Sequence, residues 1–160
     1  YQYTKARERM RVFAIKGRGG IGVPLINTPT KSNAMKATLF TLGVDSGKSL
    51  VMNRLSVQEP GPNFAHYAAQ EDRGFSENFF KQLTAEVLEK HFEKGVVKMA
   101  WKKIRERNEA LDCAVYATAA LELLNPNFEY LADFYQNGGA LKQQTVPRRS
   151  RGTLSKGITL

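Results

Sequence analysis

The sequence predicts an α/β domain, and three observations carry that prediction. Short apolar runs of strand length occur at Val12-Phe13-Ala14-Ile15 and from Thr38 to Val44, each bounded by glycine or charged residues. Stretches with apolar residues three and four apart occur from Phe79 to Lys94 and from Asn108 to Leu124, the period of a helix with one buried side. These elements share a chain of 160 residues, 42% of them apolar, which suffices for one core.

In chain order, residues 1–10 are charged and mixed and predict no element. Val12 to Ile15 reads as a strand buried on both faces. Gly17-Arg18-Gly19-Gly20-Ile21-Gly22 matches G-x-G-x-x-G, but Pro24, Asn27, Pro29 and Asn33 follow where a dinucleotide loop would open a helix. It is therefore expected to be a flexible glycine-rich loop. The second strand, Thr38 to Val44, runs into Asp45-Ser46-Gly47-Lys48-Ser49. A phosphate-binding P-loop needs four residues between its glycines, and only Val44, Asp45 and Ser46 separate Gly43 from Gly47, which argues against an ATP site. Asp45 has two readings: an acid at the carboxyl end of a strand, where α/β sheets place their chemistry, or the N-cap of a helix from Ser49 to Leu55.

Glu59-Pro60-Gly61-Pro62-Asn63 is a turn, Phe64 to Ala68 a short strand, and Gln70 to Asn78 a polar loop. Phe79 to Lys94 is expected to be a helix with Phe80, Leu83, Val87, Leu88 and Phe92 on its apolar side, stopped by Gly95. Val96 to Trp101 alternates like a strand. After the Asn108 helix, Phe128 to Tyr135 forms one more, closed by Gly138-Gly139. From Ala140 onward come Lys142, Arg148, Arg149, Arg151 and Lys156 with no acid and few large apolar groups, so residues 138–160 read as a basic, flexible tail after a domain at 1–137.

Lys and Arg total 24 against 15 acids, a formal charge of +9. That balance points to a polyanionic partner, nucleic acid before an anionic membrane surface. No apolar run approaches the ~18 residues of a membrane span. The chain opens Tyr-Gln-Tyr without Met or a signal-peptide pattern and reads as part of a longer polypeptide. Cys113 stands alone, which excludes an internal disulfide and fits a reducing compartment; its place on a helix suits a small core residue. His66 and His91 lack a second ligand at metal spacing and read as structural.

Asn108 is a natural N-cap, nothing from Ala110 to Leu124 breaks a helix, and Asn125-Pro126 ends it. Glu109 and Asp112, three apart, share one side with Cβ atoms roughly 5–6 Å apart, and Tyr116 continues it. Leu111, Ala114, Val115, Thr118, Leu121 and Leu124 form the expected core stripe. The basic run Lys102, Lys103, Arg105 and Arg107 comes directly before, a candidate DNA-binding surface. The two acids either offset the positive end of the helix dipole or belong to a phosphate-handling acid site.

Five segments, in this order, resemble the C-terminal nuclease domain of the large terminase subunit of lambda-like tailed bacteriophages. They are Arg11 to Gly17, Gly43 to Lys48, Glu59 to Pro62, Gln82 to Glu86, and Arg107 to Cys113 with Tyr116-Ala117. The resemblance implies an RNase H-like nuclease fold, a mixed central sheet flanked by helices. It also implies endonucleolytic cleavage of concatemeric double-stranded DNA during packaging, in the host cytoplasm, with an ATPase motor outside this chain. A small terminase subunit and the capsid portal are the implied partners.

The implied cofactor is a pair of divalent ions, Mg²⁺ or Mn²⁺, about 3.5–4 Å apart and held by carboxylates as hard cations require. By position Glu109 resembles the helix-borne acid of the family, Asp112 a second ligand or its orienter, and Asp45 the acid ending a central strand. Lys16 and Lys48 stand where the family carries lysines near the scissile phosphate. The family pattern begins with two further strands, each bearing an Asp, upstream of Arg11. The fold and the metal site are thus expected to be incomplete here, and this piece alone is expected to cleave DNA poorly or not at all. The alternative is a non-catalytic basic module that binds DNA or docks on the portal.

Overall fold

The computed structural model describes residues 1–32, 34–69 and 73–139, and the chain divides into two units, Tyr1–Asn125 and Pro126–Leu160. The first ten residues, for which the sequence predicts no element, form helix α1 (Gln2–Ala6) and a 3-10 turn (Glu8–Met10). The Glu8 carboxylate accepts the Thr38 N–H at 2.5 Å and Lys5 Nζ at 3.2 Å, which ties this turn to the start of the next sheet. That backbone bond, with the Lys5 ammonium, pulls the Glu8 pKa down to about 2.

Strand β1 (Ala14–Arg18) pairs in parallel with β3 (Thr38–Gly43), from Ala14 opposite Leu39 to Arg18 opposite Gly43. A short β2 (Thr30–Lys31) pairs antiparallel on the other side of β3. β3 is thus central and buries Phe40 and Leu42. β1 begins two residues later than expected and is mostly exposed, not buried on both faces. As an edge strand it has one neighbour, and Lys16 and Arg18 lie in the exposed part; Phe13, just before it, packs edge-on against Phe40 at 5.3 Å.

Helix α2 (Val44–Leu55) starts directly where β3 ends, so Asp45 lies in its first turn and Gly43 takes the N-cap position. Gly43 is required there: its N–H donates to the carbonyls of Pro24 (3.1 Å) and Leu25 (3.0 Å), and a Cβ would collide with the Val23 and Pro24 carbonyls. Helix α3 (Glu77–Leu83) is capped by Ser76, whose hydroxyl accepts the Phe79 N–H at 3.4 Å.

The expected helix from Phe79 to Lys94 is corrected here: it ends at Leu83, and strand β4 (Glu86–Glu93) follows. β4 pairs antiparallel with β5 (Val96–Lys103), from Glu86 opposite Lys103 to Glu93 opposite Val96. Lys94 and Gly95 both have positive φ, 51° and 79°. This pair is the two-residue hairpin turn whose twist matches the strands it joins, so Gly95 turns a hairpin and does not stop a helix. Glu, Leu and Lys favour a helix locally, and cross-strand pairing overrides them. The strand expected at Phe64–Ala68 is also absent. Phe64 there rests edge-on against His66, while Tyr67 packs among Phe75, Phe79 and Phe80, burial that raises the phenol pKa.

Helix α4 (Glu109–Leu124) matches expectation and ends at Asn125, left-handed at φ 43°. Its buried side is Ala110, Leu111, Val115 and Ala119; Leu121 and Leu124 are exposed, Thr118 is half-buried and Cys113 is exposed, not a core residue. The contact stripe steps by four, from 111 to 115 to 119, because α2 and α3 both pack on that one line. The Lys48-preceding glycine, Gly47, is buried at this crossing: a Cβ on it would meet Val115 Cγ1 at 2.5 Å and Leu25 Cδ1 at 3.0 Å. The Gly-Lys-Ser word therefore serves helix packing.

In the second unit, helix α5 (Phe128–Gln136) is capped by Asn127, which accepts the Tyr130 N–H at 2.9 Å. The basic tail expected at 138–160 lies, from residue 140, outside the described residues. The architecture is mixed α/β with a three-stranded and a two-stranded sheet, where one central sheet was expected. The difference lies in β4–β5, whose strands pair with each other through their own turn. Among the described residues no helix is long and apolar enough to cross a membrane.

Candidate functional site

The parallel strands β1 and β3 bring their carboxyl ends together, and the first turn of α2 stands over that edge. There the Gly20 N–H donates to Asp45 Oδ2 at 2.7 Å. Gly20 reaches it at φ 127°, a conformation that side chains disfavour. A Cβ on Gly19 would lie 3.6 Å from the same oxygen. The glycine-rich loop thus wraps the Asp45 carboxylate, with no helix behind it.

One turn along α2, Lys48 turns away from solvent. Its Nζ lies 2.6 Å from Glu86 Oε2, with the two side chains only 12% and 7% exposed. The other Glu86 oxygen accepts from Asn108 Nδ2 at 2.8 Å, and the same nitrogen lies 3.4 Å from Asp112 Oδ2. Asn108 stands at the N-cap position of α4 but makes no side-chain cap bond; its amide joins two carboxylates. Lys48, Glu86, Asn108 and Asp112 form one polar chain between α2, the start of β4 and the first turn of α4. Every buried side-chain polar atom among the described residues has a partner.

Glu109 lies outside that chain. It is exposed, and Arg107 Nε sits 3.3 Å from its Oε2. Its carboxyl is held below the usual range, chiefly by its own backbone N–H at the start of α4, against a small desolvation and with help from Arg107 and Lys103. Lys16 is exposed on edge strand β1, and among the described residues it contacts none of the candidate acids. The basic run is largely engaged. Lys102 Nζ lies 3.1 Å from Glu89, Arg107 holds Glu109, and Arg105 donates to the carbonyls of Lys81 (3.4 Å) and Thr84 at the end of α3. Lys103 is exposed, on the face of the hairpin that carries Glu86.

The structure therefore joins Lys48 and Asp112 through two residues that sequence reasoning did not place in the site, Glu86 and the Asn108 amide. Reading 79–94 as a helix left Glu86 off any functional face. The available signal was its place at the end of Gln82-Leu83-Thr84-Ala85-Glu86, one of the five segments that carry the family resemblance. Hard divalent cations take clustered carboxylates, and Glu86 and Asp112 are the pair brought together by a shared partner. Among the described residues no group of three or more His, Cys, Asp or Glu gathers at metal-holding distance. By itself this donor set does not complete a divalent-ion site.

The domain is thus basic and α/β, with a part-buried lysine–carboxylate–amide–carboxylate chain joining α2, β4 and α4. The chain belongs to the family of terminase large subunit gpA endonuclease domains, whose profile matches residues 1–132. It is 34% identical over 128 residues to the terminase large subunit of Enterobacteria phage P21, and 35% identical over 127 residues to that of Escherichia phage lambda. Each match covers 77% of this chain and 20% of the relative, so the chain spans about a fifth of the length of the curated relatives it matches. No solved structure matches.

Proposed function

We propose that this chain is the C-terminal part of the nuclease domain of a viral DNA-packaging terminase, acting in metal-dependent endonucleolytic cleavage of concatemeric double-stranded DNA. The observation that carries the reading is the part-buried chain Lys48–Glu86–Asn108–Asp112 in a member of an endonuclease-domain family. Glu86 fixes Lys48 and, through the Asn108 amide, turns the Asp112 carboxylate; the glycine-rich loop fixes Asp45. Glu109, exposed and held ionised, is the acid open to an incoming phosphodiester. In this reading Asp45, Asp112 and Glu109 supply part of the ligand set, with the remaining acids elsewhere in the polypeptide, on an RNase H-like sheet that this chain completes only in part. Mg²⁺ or Mn²⁺ would supply water activation and leaving-group stabilisation there. Lys16 and Lys103, both exposed, would supply positive charge to DNA, whereas Lys48, Lys102, Arg105 and Arg107 are held by Glu86, Glu89, the carbonyls ending α3 and Glu109. The small terminase subunit and the portal are the partners, in the host cytoplasm, and the ATPase motor lies outside this chain.

The test uses the full subunit with supercoiled DNA and Mn²⁺. Glu109→Ala and Asp112→Ala are each expected to lower cleavage at least about 10- to 100-fold, the usual cost of a lost ligand or orienter. The 160-residue chain alone is expected to cleave poorly. Undiminished cleavage by Glu109→Ala removes that residue from the site. The +9 charge also fits a second reading, a non-catalytic DNA-binding or portal-docking module. Calorimetry separates the two: full subunit that takes up no Mn²⁺ at carboxylates supports the docking module.

A further inference from the structure

Between α2 and the hairpin runs a groove that touches Asp45 and Glu86 at its margins and whose Trp101 wall the nuclease reading does not use. Two cavities of about 170 and 340 Å³ meet in it, sharing Ser49, Leu88 and Trp101. The larger lies at the low end of the roughly 300–1,000 Å³ of small-molecule sites. Leu88 stands directly opposite Trp101 in the hairpin ladder, and Met99 and Lys90 pair one step further along the same face. That face presents a half-buried indole flanked by flexible apolar groups, with Lys48 Nζ over the ring at 6.0 Å from its centroid. The facing wall of α2 is polar at Ser49 and Asn53 and apolar at Met52. The Asn53 side chain makes no hydrogen bond to another described residue, leaving an amide donor and acceptor exposed on the groove wall.

We infer that this groove receives an unstacked DNA base on the face of Trp101, with Ser49 and Asn53 reading its polar edge. A flat heterocycle with donors and acceptors round its rim is what an aromatic platform beside an amide and a hydroxyl recognises. A phosphate fits poorly, because Asp45 closes one end of the groove and Glu86 the other. Lys48, which could draw a phosphate there, is already paired with Glu86. An apolar protein helix fits poorly as well, since it would leave the Asn53 amide on the α2 wall unpaired. Ile21, 72% exposed on the glycine-rich loop, overhangs the smaller cavity and is placed to cover the second face of the base. The inference rests on the reading that this chain acts on DNA.

Trp101 is the only tryptophan, so the emission of the 160-residue chain reports this groove alone. Mixed-sequence single-stranded DNA is expected to quench it saturably. An abasic oligonucleotide of equal length, which carries the phosphates without the bases, is expected to bind by anisotropy without quenching. Trp101→Leu is expected to weaken single-strand binding by about 5- to 100-fold, the range of one lost stacking contact, and to leave abasic binding unchanged. Where circular dichroism shows Trp101→Leu unfolded, Asn53→Ala and the quenching of the unaltered chain decide. Equal quenching by both oligonucleotides, bound DNA with unchanged emission, or quenching by a protein partner alone overturns the inference. Bound DNA with unchanged emission leaves the nuclease reading standing, because that reading falls on Glu109-dependent cleavage.

Discussion

The Lys48–Glu86 pair is the costliest single contact to break. Both side chains are almost out of water, and removing one partner leaves the other charge buried without compensation, an effect of about 3–5 kcal/mol. Glu86→Ala is therefore expected to lower unfolding stability by that order in urea, and Glu86→Gln by less, since the amide oxygen still accepts from Asn108. The double variant Lys48→Met with Glu86→Leu is expected to recover most of the loss; a double variant as unstable as Glu86→Ala would show that charge burial is not the cause. A second residue-scale test lies at Glu8, whose folded pKa is depressed to about 2 by the Thr38 N–H and Lys5. A depressed carboxyl pKa stabilises the fold above the unfolded value and loses that contribution as pH falls through the folded one. The stability gap between the unaltered chain and Glu8→Gln is thus expected to be full at pH 6 and above, and to close between about pH 4.5 and 2. A gap that persists at pH 2 refutes the assignment.

At the scale of elements, helices with explicit punctuation were legible and the hairpin was not. Helix α4 lies between Asn108 and Asn125-Pro126 as its residues suggest, although Asn108 makes no side-chain cap bond, so local chemistry accounts for its end more than for its start. β4 is written in residues that favour helix, and only its pairing with β5 and the positive φ of Lys94 and Gly95 make it a strand. The candidate site divides the same way. Asp45 and Asp112 sit in the first turns of helices and Lys48 follows from the family resemblance, whereas Glu86 matters through partners on α2 and α4 that no local spacing reveals. Gly47 belongs to this scale too, because it sets the approach of α2 to α4. Gly47→Ala gains up to ~1 kcal/mol of helix propensity but overpacks Val115 for about 1–3 kcal/mol. A net loss in urea midpoint is expected, and Val115→Ala in the same chain is expected to relieve it. At the hairpin, Gly95→Val places a branched side chain at φ 79°. It is expected to cost more than ~1 kcal/mol and to speed amide exchange across β4 and β5 before it affects α4.

For the whole molecule, the +9 charge favours DNA, but its distribution limits which cations do the binding. In the run before α4, Lys102 is drawn to Glu89, Arg107 to Glu109, and Arg105 folds back on the carbonyls ending α3. A guanidinium aimed at backbone carbonyls holds a loop in place; its charge is still felt, but its donors are not free for phosphate. Lys103 is exposed and lies on the hairpin face with Glu86 and Trp101. Each phosphate neutralised on duplex DNA contributes about −0.9 to the slope of log affinity against log salt. Lys103→Ala is therefore expected to flatten that slope by about one while leaving the urea midpoint within experimental scatter. Arg105→Ala is expected to do the reverse, lowering stability by about 1 kcal/mol through the lost carbonyl bonds and leaving the slope nearly unchanged. Anisotropy titrations on duplex DNA from low to moderate salt, alongside urea melts, measure both quantities on the same two variants. Equal flattening by the two substitutions would mean that Arg105 leaves its carbonyls for the DNA backbone, and that the run before α4 binds as one surface.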